Sequence, residues 1–225
     1  MPEHIFLFGH RKQHGKDTCC DFAEEILADL GVGYCRTFFA KKLKEMAADE
    51  YNLDLSLMED NDYKCSSPAH LNGKTVRDIL IEIGNRERSK DKDCWVRYAF
   101  KDIFESKQPI GLISDFRFPN EAAAIPSVAT DLFSHICDKA PHTPMSMTAI
   151  QVHKVLVHRP DGVFVSDGAD DQLPDLQEPI DEDDNSPGYW DHVIINDDTS
   201  DRWKESLKSK VAELLNDHVQ IRQAQ

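Results

Sequence analysis

No apolar run in the 225-residue chain approaches the ~20 residues that a membrane-crossing helix needs; stretches such as Ile5-Phe6-Leu7-Phe8 are far shorter. The start, Met1-Pro2-Glu3-His4, carries neither the basic stretch nor the apolar core of a secretory leader, so a cytoplasmic location is expected. The six cysteines (Cys19, Cys20, Cys35, Cys65, Cys94, Cys137) form no C-x-x-C pair, and several lie inside apolar patterns. They read as reduced, partly buried thiols rather than a disulfide framework or a zinc–thiolate site. There is no internal repeat, and the length suits one α/β domain with at most a small lid. Basic residues are missing altogether between residues 161 and 201, a stretch holding 14 of the 41 acidic side chains. Outside it, 26 basic face 27 acidic groups, so the net charge of −15 is a local feature. The first 160 residues can still build a positive pocket for a phosphate-bearing ligand.

The chain alternates short apolar runs with helical patterns. His4 to Phe8 reads as a strand ending at Gly9; a polar, basic loop runs to Lys16; from Thr18 to Leu27 apolar residues recur at helical spacing until Gly31 and Gly33 stop the helix. Tyr34 to Phe39 reads as a second strand and Lys41 to about Glu50 as a helix. Two more helices are expected over Val76 to Gly84, with Val76, Ile79, Leu80 and Ile83 on one face, and over Cys94 to Phe104, with Trp95, Ala99 and Phe104 inward. Further strands are expected from Pro109 to Ser114, ending at Asp115, from Ile150 to His158 and from His192 to Ile195, and a closing amphipathic helix from Trp203 to Leu215. Five short strands separated by helices predict an α/β fold of three layers, a five-stranded parallel sheet with helices on both faces. The whole chain, 1–225, then forms one domain, with a helical substrate-binding insertion over about 41–106. An acidic, mobile loop is expected over about 161–188.

The strongest chemical signal is Gly9-His10-Arg11-Lys12-Gln13-His14-Gly15-Lys16-Asp17-Thr18, set between a strand and a helix. In that setting backbone N–H groups and a helix N-terminus wrap nucleotide phosphates while a lysine, here Lys16, neutralises the β and γ oxygens. The pattern departs from G-x-x-x-x-G-K-[ST] at two places. Gly9 sits one position early, and Asp17 occupies the metal-binding hydroxyl position, with Thr18 next to it. Arg11, Lys12 and His14 supply further donors. Asp115 ends a buried strand at the sheet edge where open α/β folds bind ligands, and its carboxylate, with that of Asp17, is a candidate for holding Mg²⁺ through water. Arg117, two residues on, is placed to bind an acceptor or stabilise developing charge. Lys16, Asp115 and Arg117 are therefore the catalytic candidates.

The Gly15-Lys16-Asp17-Thr18 turn preceded by Arg11 and Lys12 resembles the phosphate loop of bacteriophage deoxynucleoside monophosphate kinases, and also that of animal-type phosphomevalonate kinases. The resemblance extends over Phe39 to Glu45, over Thr75 to Gly84 with Trp95-Val96-Arg97, over Ser114 to Glu121 (Asp-x-Arg-x-x-x-Glu), and over Asp191 to Thr199. It implies a P-loop kinase that uses ATP and Mg²⁺, with Asn196 near the adenine. Lys44 and Lys64 match acceptor-phosphate positions, and Arg77, Arg86, Arg88, Trp95, Arg117 and Glu121 lie on the acceptor side. Each of these has a plainer alternative: Arg86 and Arg88 as solvated helix-end charges, Trp95 and Phe39 as core, Glu121 as the start of a helix, Asn196 and Asp115 as strand-end turns. Where the phage enzymes often carry a Gln, this chain has Ile81.

The expected activity is phosphorylation of a deoxynucleoside monophosphate, common or 5-modified, to the diphosphate, without a membrane partner and with a homodimer left open. Two alternatives keep the chemistry and change the acceptor, to phosphomevalonate or to a hydroxymethylated base within DNA. The DNA version predicts salt-sensitive binding, and the acidic stretch argues against a nucleic-acid partner. A third alternative is a nucleotide-binding protein without catalysis.

Overall fold

The computed structural model describes residues 2–9, 14–139, 150–160, 190–198, 200 and 202–219. The apolar run after His4 forms β1 (His4–Gly9), buried from Ile5 onward. Side chains alternate across a strand, so Ile5 and Leu7 enter one apolar layer while Phe6 and Phe8 enter the other. A strand buried on both faces belongs in the middle of a parallel sheet. The remaining strands are β2 (Tyr34–Thr37), β3 (Ile110–Phe116), β4 (Gln151–His158) and β5 (His192–Ile195). All pairings are parallel and the order is β2-β3-β1-β4-β5, with β1 between β3 and β4.

The helices, in chain order, are α1 (Lys16–Asp29), α2 (Lys41–Tyr51), α3 (Asn61–Cys65), α4 (Val76–Lys90), α5 (Cys94–Ser106), α6 (Pro119–Lys139) and α7 (Trp203–His218). α1 and α7 cover Phe6 and Phe8; α5 and α6 cover Ile5 and Leu7. The sheet with helices on both faces is thus present as the alternation of patterns predicts. Since β1 leads to α1 on one face and β3 to α6 on the other, the carboxyl ends of these two neighbouring strands border a crevice. Open α/β sheets bind ligands at such a switch point.

Between β2 and β3, α2 to α4 gather a separate apolar cluster of Ala47, Leu53, Met58, Leu71, Val76, Ile79 and Ile83. Thr75 fixes the start of α4: its hydroxyl accepts from Asp78 N–H at 3.1 Å while the Asp78 carboxylate accepts from Thr75 N–H at 2.8 Å. α4 runs on to Lys90 instead of ending at Gly84. Gly84 is buried within the helix, and the last turn is supported by Glu87 paired with Arg86 and Lys90 and by basic residues at the carboxyl end. β2 ends at Thr37, two residues early, because Phe38 to Ala40 form a turn, with Lys41 N–H donating to the Phe38 carbonyl at 3.1 Å. α6 holds Pro126 within it and runs on past Ser127, where the sequence suggests no element, as far as Lys139. Residues 140–149 and the acidic stretch 161–188 lie outside the described residues.

Cys19, Cys20, Cys35, Cys65 and Cys94 are free thiols. Among the described residues no helix is long and apolar enough to cross a membrane.

Gly111 marks how tightly α5 sits on the sheet: a Cβ there would stand 2.9 Å from both Cγ2 and Cδ1 of Ile103 and 3.3 Å from Ile5. Gly111→Ala is expected to destabilise the fold by about 1–3 kcal/mol through overpacking, read as a lowered urea midpoint.

Candidate active site

The turn between β1 and α1 is shaped by Gly15, which adopts φ 101° and ψ 10°, a left-handed conformation that favours glycine. A Cβ there would also stand 2.9 Å from Asn196 Nδ2. Gly15 is the residue that caps α1 and brings no side chain to the helix's first amides, so these N–H groups and the positive end of the helix dipole are directed at the crevice. Lys16 is 4% exposed. Burial pushes its ammonium below the ordinary lysine range and the Arg117 charge pushes the same way; Asp17 and Asp115 act against both. Its Nζ lies 3.6 Å from Asp17, whose carboxylate is exposed.

Two strand ends hold the turn in place. The buried Asn196 side chain donates from Nδ2 to the His14 carbonyl at 3.1 Å, and its own backbone N–H donates to the His158 carbonyl at 2.7 Å. The backbone N–H of Arg159 donates to Nδ1 of the buried His14 at 3.0 Å. A neutral His14 therefore carries its proton on Nε2. His14 and Asn196 thus fix the backbone of the β1–α1 turn, a task no sequence spacing reveals. In front of the turn lies a cavity of about 170 Å³ lined by Gly15, Lys16, Asp17, Thr18, Arg159, Asn196 and Trp203. Arg159 and Trp203 were not among the sequence candidates. A basic residue at the carboxyl end of β4, immediately before the acidic stretch, was the available signal for the first; Trp203 read as part of an amphipathic helix.

On the β3 side, carboxylates are spent on the backbone. Asp115 accepts from Phe39 N–H at 2.7 Å through one oxygen and from Ala40 N–H at 3.0 Å through the other, which ties the start of α2 to the end of β3. Burial raises its pKa, and these two N–H groups, followed by Arg117 and Lys44, oppose the rise. Glu121 is buried and accepts from Arg117 N–H at 2.9 Å and Phe118 N–H at 3.0 Å through a single oxygen. Burial, helped by the neighbouring Asp115 charge, pushes it up to about 8. The charges of Arg117 and Asp115 act on Lys16, and the same two act on Glu121, so the structure brings the two strand ends into one charged site.

The remaining candidates are more dispersed. Lys44 pairs with Glu59 and lies 4.7 Å from the centre of the Phe38 ring. Arg77 donates to Asn61 at 2.9 Å from α4, and Lys64 sits half-buried in α3. Arg86 forks onto Glu50 at 2.6 and 2.7 Å and also meets Glu87, while Arg88 is exposed in the last turn of α4. Trp95 and Phe39 are packed in the core at 6% and 3% exposure, and Ile81 is 56% exposed. Arg11 and Lys12 lie outside the described residues.

Two measurements check this geometry. Asn196→Ala leaves the buried His14 carbonyl without its partner and is expected to cost about 1–3 kcal/mol of stability in urea titrations. Glu121 holds its proton in the folded chain up to about pH 8 but loses it near its ordinary value of 4.5 when unfolded. The folded state then binds more protons between those values, so its contribution to stability is present at low pH and lost as pH rises towards 8. Glu121→Gln is expected to flatten that part of the stability–pH curve; an unchanged slope between pH 5 and 8 would contradict the assignment.

A family model for phosphomevalonate kinase matches residues 7–130, from within β1 through the helical insertion and β3 into α6. No curated protein matches the chain significantly. Family membership implies kinase activity with ATP as phosphoryl donor, in keeping with a lysine buried at a helix N-terminus. The matched span is more than half of the chain and contains both the β1–α1 turn and the Asp115–Arg117 strand end, and on that ground the protein belongs to the phosphomevalonate kinase family.

Proposed function

We propose that the protein transfers the γ-phosphoryl group of ATP to the phosphate of a small anionic phosphomonoester of the phosphomevalonate type, yielding ADP and a diphosphate product. The observation that carries this reading is that the family match spans the donor turn and the acceptor-side elements together, residues 7–130. An acceptor phosphate oxygen attacks the γ-phosphorus while the bond from that phosphorus to the β–γ bridging oxygen breaks. Such a step asks the protein for alignment and positive charge more than for covalent chemistry.

The residues divide that work. The N–H groups of Gly15 to Thr18 and the Lys16 ammonium hold the β and γ phosphates; an anion there restores to Lys16 the charge compensation that burial has taken away. Arg117, its backbone fixed by Glu121, bridges donor and acceptor phosphates. Lys44, Lys64 and Arg77 face the acceptor. Arg159 and Trp203 flank the purine at the mouth of the cavity. Magnesium takes oxygen ligands and keeps several waters. Asp17 is exposed and each Asp115 oxygen accepts only one backbone N–H, so both fit water-mediated contact with such an ion, which would neutralise charge on the phosphates.

Packing favours this acceptor over a stacked base: Trp95 and Phe39 are committed to the core. One observation favours a deoxynucleoside monophosphate instead. The Trp95 indole N–H is buried and meets no acceptor among the described residues, leaving a donor for a base carbonyl.

A coupled assay of ADP release, run with phosphomevalonate and with the common and 5-modified deoxynucleoside monophosphates, separates the two. Turnover is expected with phosphomevalonate. Lys16→Ala should reduce it to background, and Arg117→Ala should lower kcat by about 10²–10³-fold. Release with deoxynucleotides alone would replace the acceptor; release with none above the ATP-only rate would end the proposal.

A further inference from the structure

At the opposite end of the sheet from the phosphate turn, four imidazoles from distant parts of the chain converge. His4 opens β1, His153 lies on β4 opposite Phe6, His192 opens β5 and His218 ends α7. The six-residue β1 sets His4 about 17 Å from its carboxyl end, while His153 pairs with Phe6 and His192 with Val155. His153 is 6% exposed and its ring stacks on Phe6 with centroids 4.6 Å apart. The His218 ring lies 4.2 Å from that of His153 and 4.7 Å from that of His192, centre to centre. One potential ligand atom from each of His153, His192 and His218 lies within 4.8 Å of the others.

The two ring nitrogens of His153 stand in different relations to their neighbours. Nε2 lies 3.0 Å from His4 Nδ1, an ordinary hydrogen-bond distance, while Nδ1 lies 3.3 Å from His192 Nε2. A neutral imidazole has a single N–H. If His153 donates it to His4, the Nδ1 lone pair points at His192 with no proton of its own to give. Two nitrogens bound to one tetrahedral ion at ~2.0–2.1 Å stand about 3.4 Å apart, close to that second separation. Asp191 and Asp217 lie near His192 and Glu3 near His4, an acidic surround that favours a cation.

We propose that His153, His192 and His218 form a binding site for a divalent transition ion of the zinc class, with His4 as the hydrogen-bond partner that orients His153. Imidazole donors suit zinc, copper and nickel, and a ligand ring is commonly oriented by a hydrogen bond from its other N–H, the part His4 Nδ1 takes here. Water completes the coordination. Bound there, the ion ties the end of α7 to the starts of β4 and β5, and α7 begins at Trp203 beside the nucleotide cavity.

The test uses the full chain, stripped with a chelator and dialysed against zinc, then cobalt. One zinc per chain is expected, with a raised melting temperature, and the cobalt form should show the intense visible bands of a four-coordinate ion without a thiolate charge-transfer band. His192→Gln and His218→Gln should each abolish binding, and His4→Gln should keep the stoichiometry while weakening affinity about 10–100-fold. Circular dichroism checks that the variants fold; where one does not, the wild-type cobalt spectrum decides between imidazole and cysteine ligands. No zinc on the wild-type chain, a thiolate band, or undiminished binding by a folded His192→Gln/His218→Gln variant would overturn the proposal.

Discussion

An ammonium group held out of water at the start of a helix is the constraint on which the rest of the site depends. Lys16 is nearly inaccessible, the Asp17 carboxylate is 3.6 Å away, and burial works against its charge. Such an arrangement is costly in an empty protein and becomes favourable when a multiply charged anion lies across the helix N-terminus. The surrounding structure keeps the lysine there. β1 is locked between β3 and β4, Gly15 takes the one conformation that turns the chain into α1, and Asn196 and Arg159 fix the His14 backbone and ring from the far strand ends.

The same economy applies across the crevice. Asp115 and Glu121 do not face open solvent as spare charges; each is bonded to two backbone N–H groups, one clamping the start of α2 and the other the approach to α6. The start of α2 therefore hangs on the same strand end that presents Arg117. That end is tied to the helical insertion by the two Asp115 hydrogen bonds and to α6 by the two of Glu121. On the opposite face α7 runs from the cavity in front of Lys16 to the histidine cluster.

The order of elements was legible because parallel strands buried on both faces are continuous apolar runs and the covering helices keep a three- and four-residue period. Lys16 and Gly15 were legible because the strand–turn–helix chemistry is local. The ends of elements were less so: Gly84 looked like a stop, but a buried glycine inside a well-paired helix does not break it. Asp115, Glu121 and Asn196 were found as residues, while their backbone partners lie between 3 and 182 positions away and follow only from the fold. Trp95 had two readings, and its place under α6 settles its packing. Arg159 and Trp203 were missed because one followed a strand as an ordinary charge and the other opened a helix as an ordinary apolar residue. The four histidines, at positions 4, 153, 192 and 218, have no spacing that would join them before the sheet is assembled.

The central claim is tested most directly by a crystal structure with a non-hydrolysable ATP analogue and magnesium. The account predicts β and γ phosphates over the amides of Gly15 to Thr18 with Lys16 Nζ on their oxygens, and the purine beside Trp203 and Arg159. Phosphates seated elsewhere, for example in the cleft between α2 and α5 lined by Lys41, Lys42, Lys101 and Asp102, with the phosphate turn bare, would contradict it.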